Sequence, residues 1–185
     1  MRELLVIQVT KEIVLKELEL YDATDIFHSL DSQREYFRKW LPFVDETHEI
    51  KDSENFVLSV IEAPEDTWNY VFVIHYQSVF VGLIGFKGTD KTNKETEIGY
   101  WLSADYQHKG IITESLKALV NFAFKDLGMH RIFIRCAVGN IQSKNIPKRL
   151  GFTLEGIERD GELLVDNVFT DIEVYSLLKK DHIAF

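Results

Sequence analysis

The chain has 185 residues, 45% of them hydrophobic, with 21 Lys and Arg against 30 Asp and Glu, a formal net charge of −9. That length and apolar content suffice for a single domain over 1–185 with its own core, without disulfide or metal staples. The acidic balance disfavours direct nucleic-acid binding, which relies on Lys and Arg to neutralise phosphates. The lone cysteine, Cys136, excludes an internal disulfide and points to a reducing, cytoplasmic setting.

Arg2 and Glu3 precede only a short apolar run at 4–7, and no small-residue cleavage site follows, so no signal peptide is expected. A short strand at 4–9 is predicted to precede a strand at 12–20. Asp22 and Thr24 are placed to cap a helix carrying Ile26, Phe27 and Leu30, and Asp31 or Ser32 to cap another through Tyr36 and Phe37. An aromatic and acidic connector follows at 40–49. A third helix is expected from Asp52 or Ser53, with Phe56, Val57, Val60 and Ile61 at helical spacing before Pro64.

Residues 67–86 carry no formal charge over a bilayer-spanning length. Their middle is the polar stretch His75–Ser78 and their flanks are rich in Val, Phe and Tyr, so they read as a β-hairpin and no membrane span is expected. Strands at 69–76, 79–87 and 94–102 then make an antiparallel meander. After a polar loop at 103–110, Ile112, Leu116, Leu119, Val120, Ala123, Phe124 and Leu127 form one apolar helical face, with Gly128 at the C-terminal cap position. A strand at 131–138 shows Ile132, Ile134, Cys136 and Val138 on one face. A short helix near 145–150 is expected to end at Gly151, and strands near 152–159 and 166–178 close the chain. The order predicts an α/β (α+β) fold with a mixed, mostly antiparallel central sheet flanked by helices.

The strand–loop–helix at 96–127 carries the clearest chemical signal. Gly110 at the helix start lets backbone approach a ligand, free helix N–H groups favour an anion, and His108 and Lys109 add positive character. No Gly-Lys-Ser/Thr follows a strand, as a Walker loop requires, and one glycine stands where a dinucleotide fingerprint needs three. A phosphate site and an ordinary helix start both remain open on this evidence alone.

Gln107-His108-Lys109-Gly110 followed by the amphipathic helix resembles the Gln/Arg-x-x-Gly-x-Gly/Ala loop of the GNAT superfamily of N-acetyltransferases. Residues 140–156, with Asn140, Ser143 and the run Gly151 to Gly156, resemble that family's Asn-x-x-Ser … Gly-Phe-x-x-Glu-Gly segment. The strand at 97–102, the helix start at 110–114 and Trp40 to Phe43 are similar to its Rim-type branch, whose members acetylate N-terminal residues of ribosomal proteins. The resemblance spans about 12–178 and implies acetyl-CoA as cosubstrate, with its pyrophosphate on the amides of Gln107, His108, Lys109, Gly110, Ile111 and Ile112. Two departures stand out. Ile112 occupies the loop's third small position, where binding through amides is expected to survive. Pro147 lies where the family continues a helix, and proline is comfortable only in a first turn, so the helix is expected to start near Asn145 or Ile146.

Acetyl transfer from a thioester to an amine needs a neutral amine, alignment, donors for the oxyanion and a proton for the thiolate. The resemblance implies Glu162 as base, Ser143 as donor to the thiolate, main-chain groups of Tyr100, Trp101 and Leu102 on oxyanion and pantetheine, and Asn140 on the CoA arm. Trp40 and Phe43 are candidates for the acceptor pocket. Plainer readings stay open: Glu162 as a solvated turn carboxylate, Ser143 as a helix cap, Asn140 as a turn residue, and the two aromatics as core. Cys136 reads as a buried, inert thiol, which favours direct transfer in a ternary complex. The six histidines show no paired metal spacing, and Asp45, Glu46, His48 and Glu49 read as a solvated acidic loop, so no metal is expected.

The acceptor is expected to be a protein N-terminus; a small amine, or a non-catalytic role in binding acyl-CoA, are the alternatives. The aromatic hairpin and terminal strands offer edges that a homo-oligomer would cover. The charge is unevenly placed. Six bases and one acid lie between Lys125 and Arg149, and seven acids and one base between Thr153 and Tyr175. A basic half suits polyanionic CoA and an acidic half a cationic amine.

Overall fold

The structure, a computed structural model, describes residues 4–182. Eight strands, β1 (Val6–Gln8), β2 (Ile13–Glu17), β3 (Val71–Tyr76), β4 (Val79–Asp90), β5 (Glu95–Leu102), β6 (Arg131–Ala137), β7 (Thr153–Leu163) and β8 (Phe169–Leu178), form one sheet. Its order is β1-β2-β3-β4-β5-β6-β8-β7, and among the described residues only β5 and β6 run parallel. Among the described residues five α-helices accompany it: α1 (Asp22–Ser32), α2 (Arg34–Phe37), α3 (Ile50–Ile61), α4 (Ile111–Lys125) and α5 (Ile141–Arg149). The mixed, mostly antiparallel α/β architecture expected from the sequence is the one observed.

The sheet divides the core into two layers. One face packs α4 through Ile111, Leu116, Leu119, Val120 and Phe124 against Phe72, Ile84, Ile98 and Ile132. The other packs Ala23, Ile26 and Leu30 of α1 and Val57 of α3 against Val73 and Leu83. Residues 72–74 of β3 and 81–86 of β4 are buried on both faces, which explains the uncharged sequence there. Gln77 and Ser78 turn between them with φ of +51° and +65°, the left-handed pair that suits a two-residue hairpin. No helix among the described residues is long and apolar enough to cross a membrane.

Several element ends differ from the sequence expectation. The first helix begins at Asp22 itself, whose carboxylate accepts from the Glu19 amide at 2.8 Å, and it runs to Ser32 before breaking at Gln33. The third begins at Ile50, because Glu49 and Asp52 form a reciprocal capping box. The fifth begins at Ile141, not near Asn145, and carries Pro147 in its interior. Finally, the β3–β4 hairpin lies inside the sheet and offers no edge; the edges are the short β1 and the long β7.

Candidate active site

Parallel pairing of β5 with β6 lasts for three registers, Glu95 with Arg131, Thr96 with Ile132 and Glu97 with Phe133. Beyond Glu97 the strands part, while β6 stays paired with β8 throughout and β5 with β4. A notch therefore opens at the C-terminal ends of the parallel pair, where α/β sheets hold their ligands. Alternation along β5 sends Ile98 and Tyr100 to the α4 face and Glu97, Gly99 and Trp101 to the α1/α3 face.

Two cavities meet at this notch. The smaller, about 650 Å³, is walled by the start of α4 and by α5. Gly110 takes φ +75° as the residue before α4, a conformation only glycine adopts without strain, and the first-turn amides of Ile111, Ile112 and Thr113 lack intrahelical acceptors. The Ile112 side chain points into the core at 6% exposure, so the isoleucine leaves the backbone free to face the cavity. His108 lies on the wall, and Arg149 reaches across from α5 to donate to the Thr113 hydroxyl at 3.2 Å. An anion-seeking helix end, a histidine and a guanidinium fit a pyrophosphate. The Lys109 side chain is on neither wall; its ammonium sits 4.8 Å from the Tyr106 ring and 5.5 Å from that of Tyr76.

Gln107 is tied up by side chains. It donates to Gln142 at 3.0 Å, accepts from the same residue at 3.2 Å, and donates to the Tyr36 hydroxyl. Tyr36 in turn donates to the Leu102 carbonyl at 3.2 Å, so that main-chain oxygen has a partner.

The larger cavity, about 850 Å³, opens on the α1/α3 face. Gly99, Glu97 and Arg135 line it, as do Trp40, Phe43 and Glu162. Trp40, Tyr100, Trp101, Asn140 and Ser143 belong to both cavities. Trp40 packs on the strand-to-helix turn, where a Cβ on Gly139 would come within 3.0 Å of its ring. Burial lifts the Glu97 carboxyl above the ordinary value, with Glu162 and Glu158 reinforcing this and Lys87 and Arg135 opposing it. Glu162 itself is exposed on the rim.

At the junction, Ser143 is held from three sides. Its amide donates to the Asn140 side-chain oxygen at 3.2 Å, so Asn140 caps α5 and Ser143 does not. Its hydroxyl lies 3.4 Å from both the Tyr100 hydroxyl and the Cys136 sulfur. Its carbonyl accepts from Tyr100 at 3.1 Å. Pro147, four residues on, has no N–H to offer that carbonyl, so Tyr100 supplies the missing donor and the helix continues through the proline. Burial, first among the causes, holds Tyr100 protonated far above the usual phenol range and pushes the Cys136 thiol up to about 11.

Sequence reasoning passed over Glu97, Tyr36, Gln142 and Arg149. Glu97 left a trace, two residues before Gly99 and four before Trp101 on one strand face, and Arg149 left one as the last base of the basic stretch. Asp45 of the acidic loop is held by Arg38 at 2.8 Å, and among the described residues no three His, Cys, Asp or Glu side chains cluster as a metal site.

A family model described as an acetyltransferase (GNAT) domain matches residues 12–153. The chain belongs to the GNAT acetyltransferase family. It is 31% identical over 175 residues to YdaF of Bacillus subtilis, provisionally named a ribosomal N-acetyltransferase, covering 94% of this chain and 95% of that one. It is 36% identical over 106 residues to the ribosomal-protein-serine acetyltransferase of Escherichia coli, 57% of this chain and 59% of the relative. The structure of the microcin C7 self-immunity acetyltransferase MccE with acetyl-CoA and AMP superposes with a TM-score of 0.87 at 31% identity, covering 93% of this chain and 95% of that one. This GNAT protein is an N-acetyltransferase with acetyl-CoA as its cosubstrate, and the smaller cavity suits that molecule.

Proposed function

We propose that this acetyltransferase modifies the α-amine at the N-terminus of a protein, a ribosomal protein in the first instance, by direct transfer in a ternary complex in the cytoplasm. The observation that carries the reading is the meeting of an anion-seeking cavity and a carboxylate-lined one at Ser143. When bound, acetyl-CoA supplies the activated acyl group. An N-terminal amine has a reference pKa of about 7.7–8.0, so a modest base is enough to keep it neutral. Glu162, on the rim of the larger cavity, takes that proton, directly or through water, while the Ser143 hydroxyl offers one to the leaving thiolate. The amides from Gln107 to Ile112 and the Arg149 guanidinium face the phosphates. Trp40 and Phe43 line the acceptor's path. Both ribosomal names among the relatives support this acceptor.

A second reading has its own support. MccE was captured with AMP, and Phe43, Phe56 and Trp40 give the larger cavity aromatic walls that would stack a base, so a small amine joined to a nucleotide is the rival acceptor. A panel of N-terminal peptides, polyamines, amino acids, aminoglycosides and aminoacyl nucleotides at one acetyl-CoA concentration separates them. Peptide turnover is expected, and turnover of small amines alone would sink the proposal. Glu162→Ala and Ser143→Ala are each expected to lower kcat/KM for the best acceptor on the order of a hundredfold.

A further inference from the structure

Gly99 lies mid-way along β5, the fifth strand of eight, where a residue is ordinarily covered. It is exposed instead. Its register partner is Gly85, with Leu83 opposite Trp101 on one side and Lys87 opposite Glu97 on the other. Nothing local requires glycine there. Gly99 is absent from the positive-φ positions, so its backbone suits any residue. A Cβ built on it meets no heavy atom within 4 Å, unlike Gly85, where the Tyr70 carbonyl would stand at 2.7 Å. A glycine in a strand interior lowers stability by roughly 0.5–1 kcal/mol relative to alanine, and one with no conformational duty marks a place where something approaches the backbone closely.

What occupies the space follows from its surroundings. Gly99 belongs to the wall of the larger cavity, one residue from Tyr100 and two from Glu97, with Glu162 on the same wall. The cavity's 850 Å³ falls near the top of the range for drug-sized ligands, more than a compact amine fills. We propose that Gly99 is a specificity-determining residue, the bare floor on which the first residues of a peptide acceptor lie as its amine reaches Ser143 and the thioester. This rests on the peptide-acceptor reading. The missing side chain sets the width of the path between the Lys87–Glu97 and Leu83–Trp101 pairs, so a larger residue excludes extended acceptors before compact ones.

The test is a series, Gly99→Ala, Gly99→Val and Gly99→Leu, each assayed with an N-terminal peptide and with the smallest amine the parent acetylates. The readout is the ratio of the two kcat/KM values. It is expected to fall with side-chain size, about tenfold or more for leucine, since a misfit of a few methylenes in a shaped pocket discriminates by that order. Acetyl-CoA affinity by calorimetry is expected to hold and the thermal midpoint to hold or rise, which shows that the variants fold. A ratio unchanged in Gly99→Leu overturns the proposal, and so does an equal loss for both acceptors. If the parent accepts only small amines, the peptide reading fails separately. The amines are then ranked by size: loss of the largest first supports the floor, and loss independent of size overturns it.

Discussion

The Tyr100 hydroxyl answers a need created by a residue 47 positions further along the chain. Pro147 deprives the Ser143 carbonyl of its helical donor, and Tyr100, from the other lip of the notch, replaces it at 3.1 Å. The same ring lies on both cavity walls, so one side chain splints α5 and shapes the junction of the two cavities. Tyr100→Phe leaves a buried carbonyl without its donor and is expected to lower stability by about 1–3 kcal/mol in denaturant titrations, with kcat falling more than KM for acetyl-CoA because Ser143 loses its anchor. An unchanged midpoint would show that water replaces the hydroxyl. This contact also marks where the sequence stops being legible. The glycine before α4, that helix's apolar face and the buried cysteine all follow from local spacing. The start of α5 does not, because the rule against interior proline is suspended by a partner on a distant strand. Glu97 was hidden for a similar reason: its environment comes from Lys87 of β4, Arg135 of β6 and Glu158 and Glu162 of β7, and a charged residue on a strand reads as solvent-facing until those neighbours are known.

At the scale of elements, the uneven charge acquires a different use from the one the sequence suggested. The basic stretch and the acidic stretch are neighbours in space. Arg131 meets Glu155 at 2.5 Å, Arg135 meets Glu158 at 2.5 Å, and Lys144 of α5 meets Glu173 of β8 at 3.2 Å. Much of the apparent division into a basic cofactor half and an acidic acceptor half is therefore cross-element pairing, with Arg149 the base of that stretch that lines the smaller cavity. The Lys144–Glu173 pair is the most enclosed, its side chains 13% and 11% exposed, and Tyr175 donates to the second Glu173 oxygen at 2.5 Å. Burial alone would raise the Glu173 carboxyl, yet the Tyr175 hydroxyl and the Lys144 ammonium outweigh it and hold it below the ordinary glutamate value. Its contribution is present above the unfolded pKa of about 4.3 and is lost as pH falls through the lower folded value. Glu173→Gln is expected to cost roughly 2–3 kcal/mol near neutral pH, shrinking below pH ~4, as read from unfolding midpoints across pH. A cost independent of pH would mean that shape, not charge, holds α5 to β8.

The whole molecule is a sheet opened at one seam, with a cavity against each lip and a shared wall between them. Because Trp40, Tyr100, Trp101, Asn140 and Ser143 line both cavities, a donor and an acceptor placed as proposed would occupy the protein together. That arrangement makes a covalent relay unnecessary, and the chemistry of Cys136 argues against one. The thiol is 3% exposed and pushed up to about 11, so its thiolate fraction at pH 7 is on the order of a hundredfold below that of a cysteine at its ordinary value. An acetyl-cysteine intermediate would require the acyl group to pass into the core beneath Ser143 and out again before the amine could take it. Double-reciprocal plots of initial rate at varied acetyl-CoA and acceptor are therefore expected to intersect, as for a ternary complex. Cys136→Ala is expected to retain kcat/KM within a few-fold. Parallel lines, together with mass-spectrometric acetylation of Cys136 when acetyl-CoA is given without acceptor, would instead establish a two-step route and remove the reason for both substrates to share the seam.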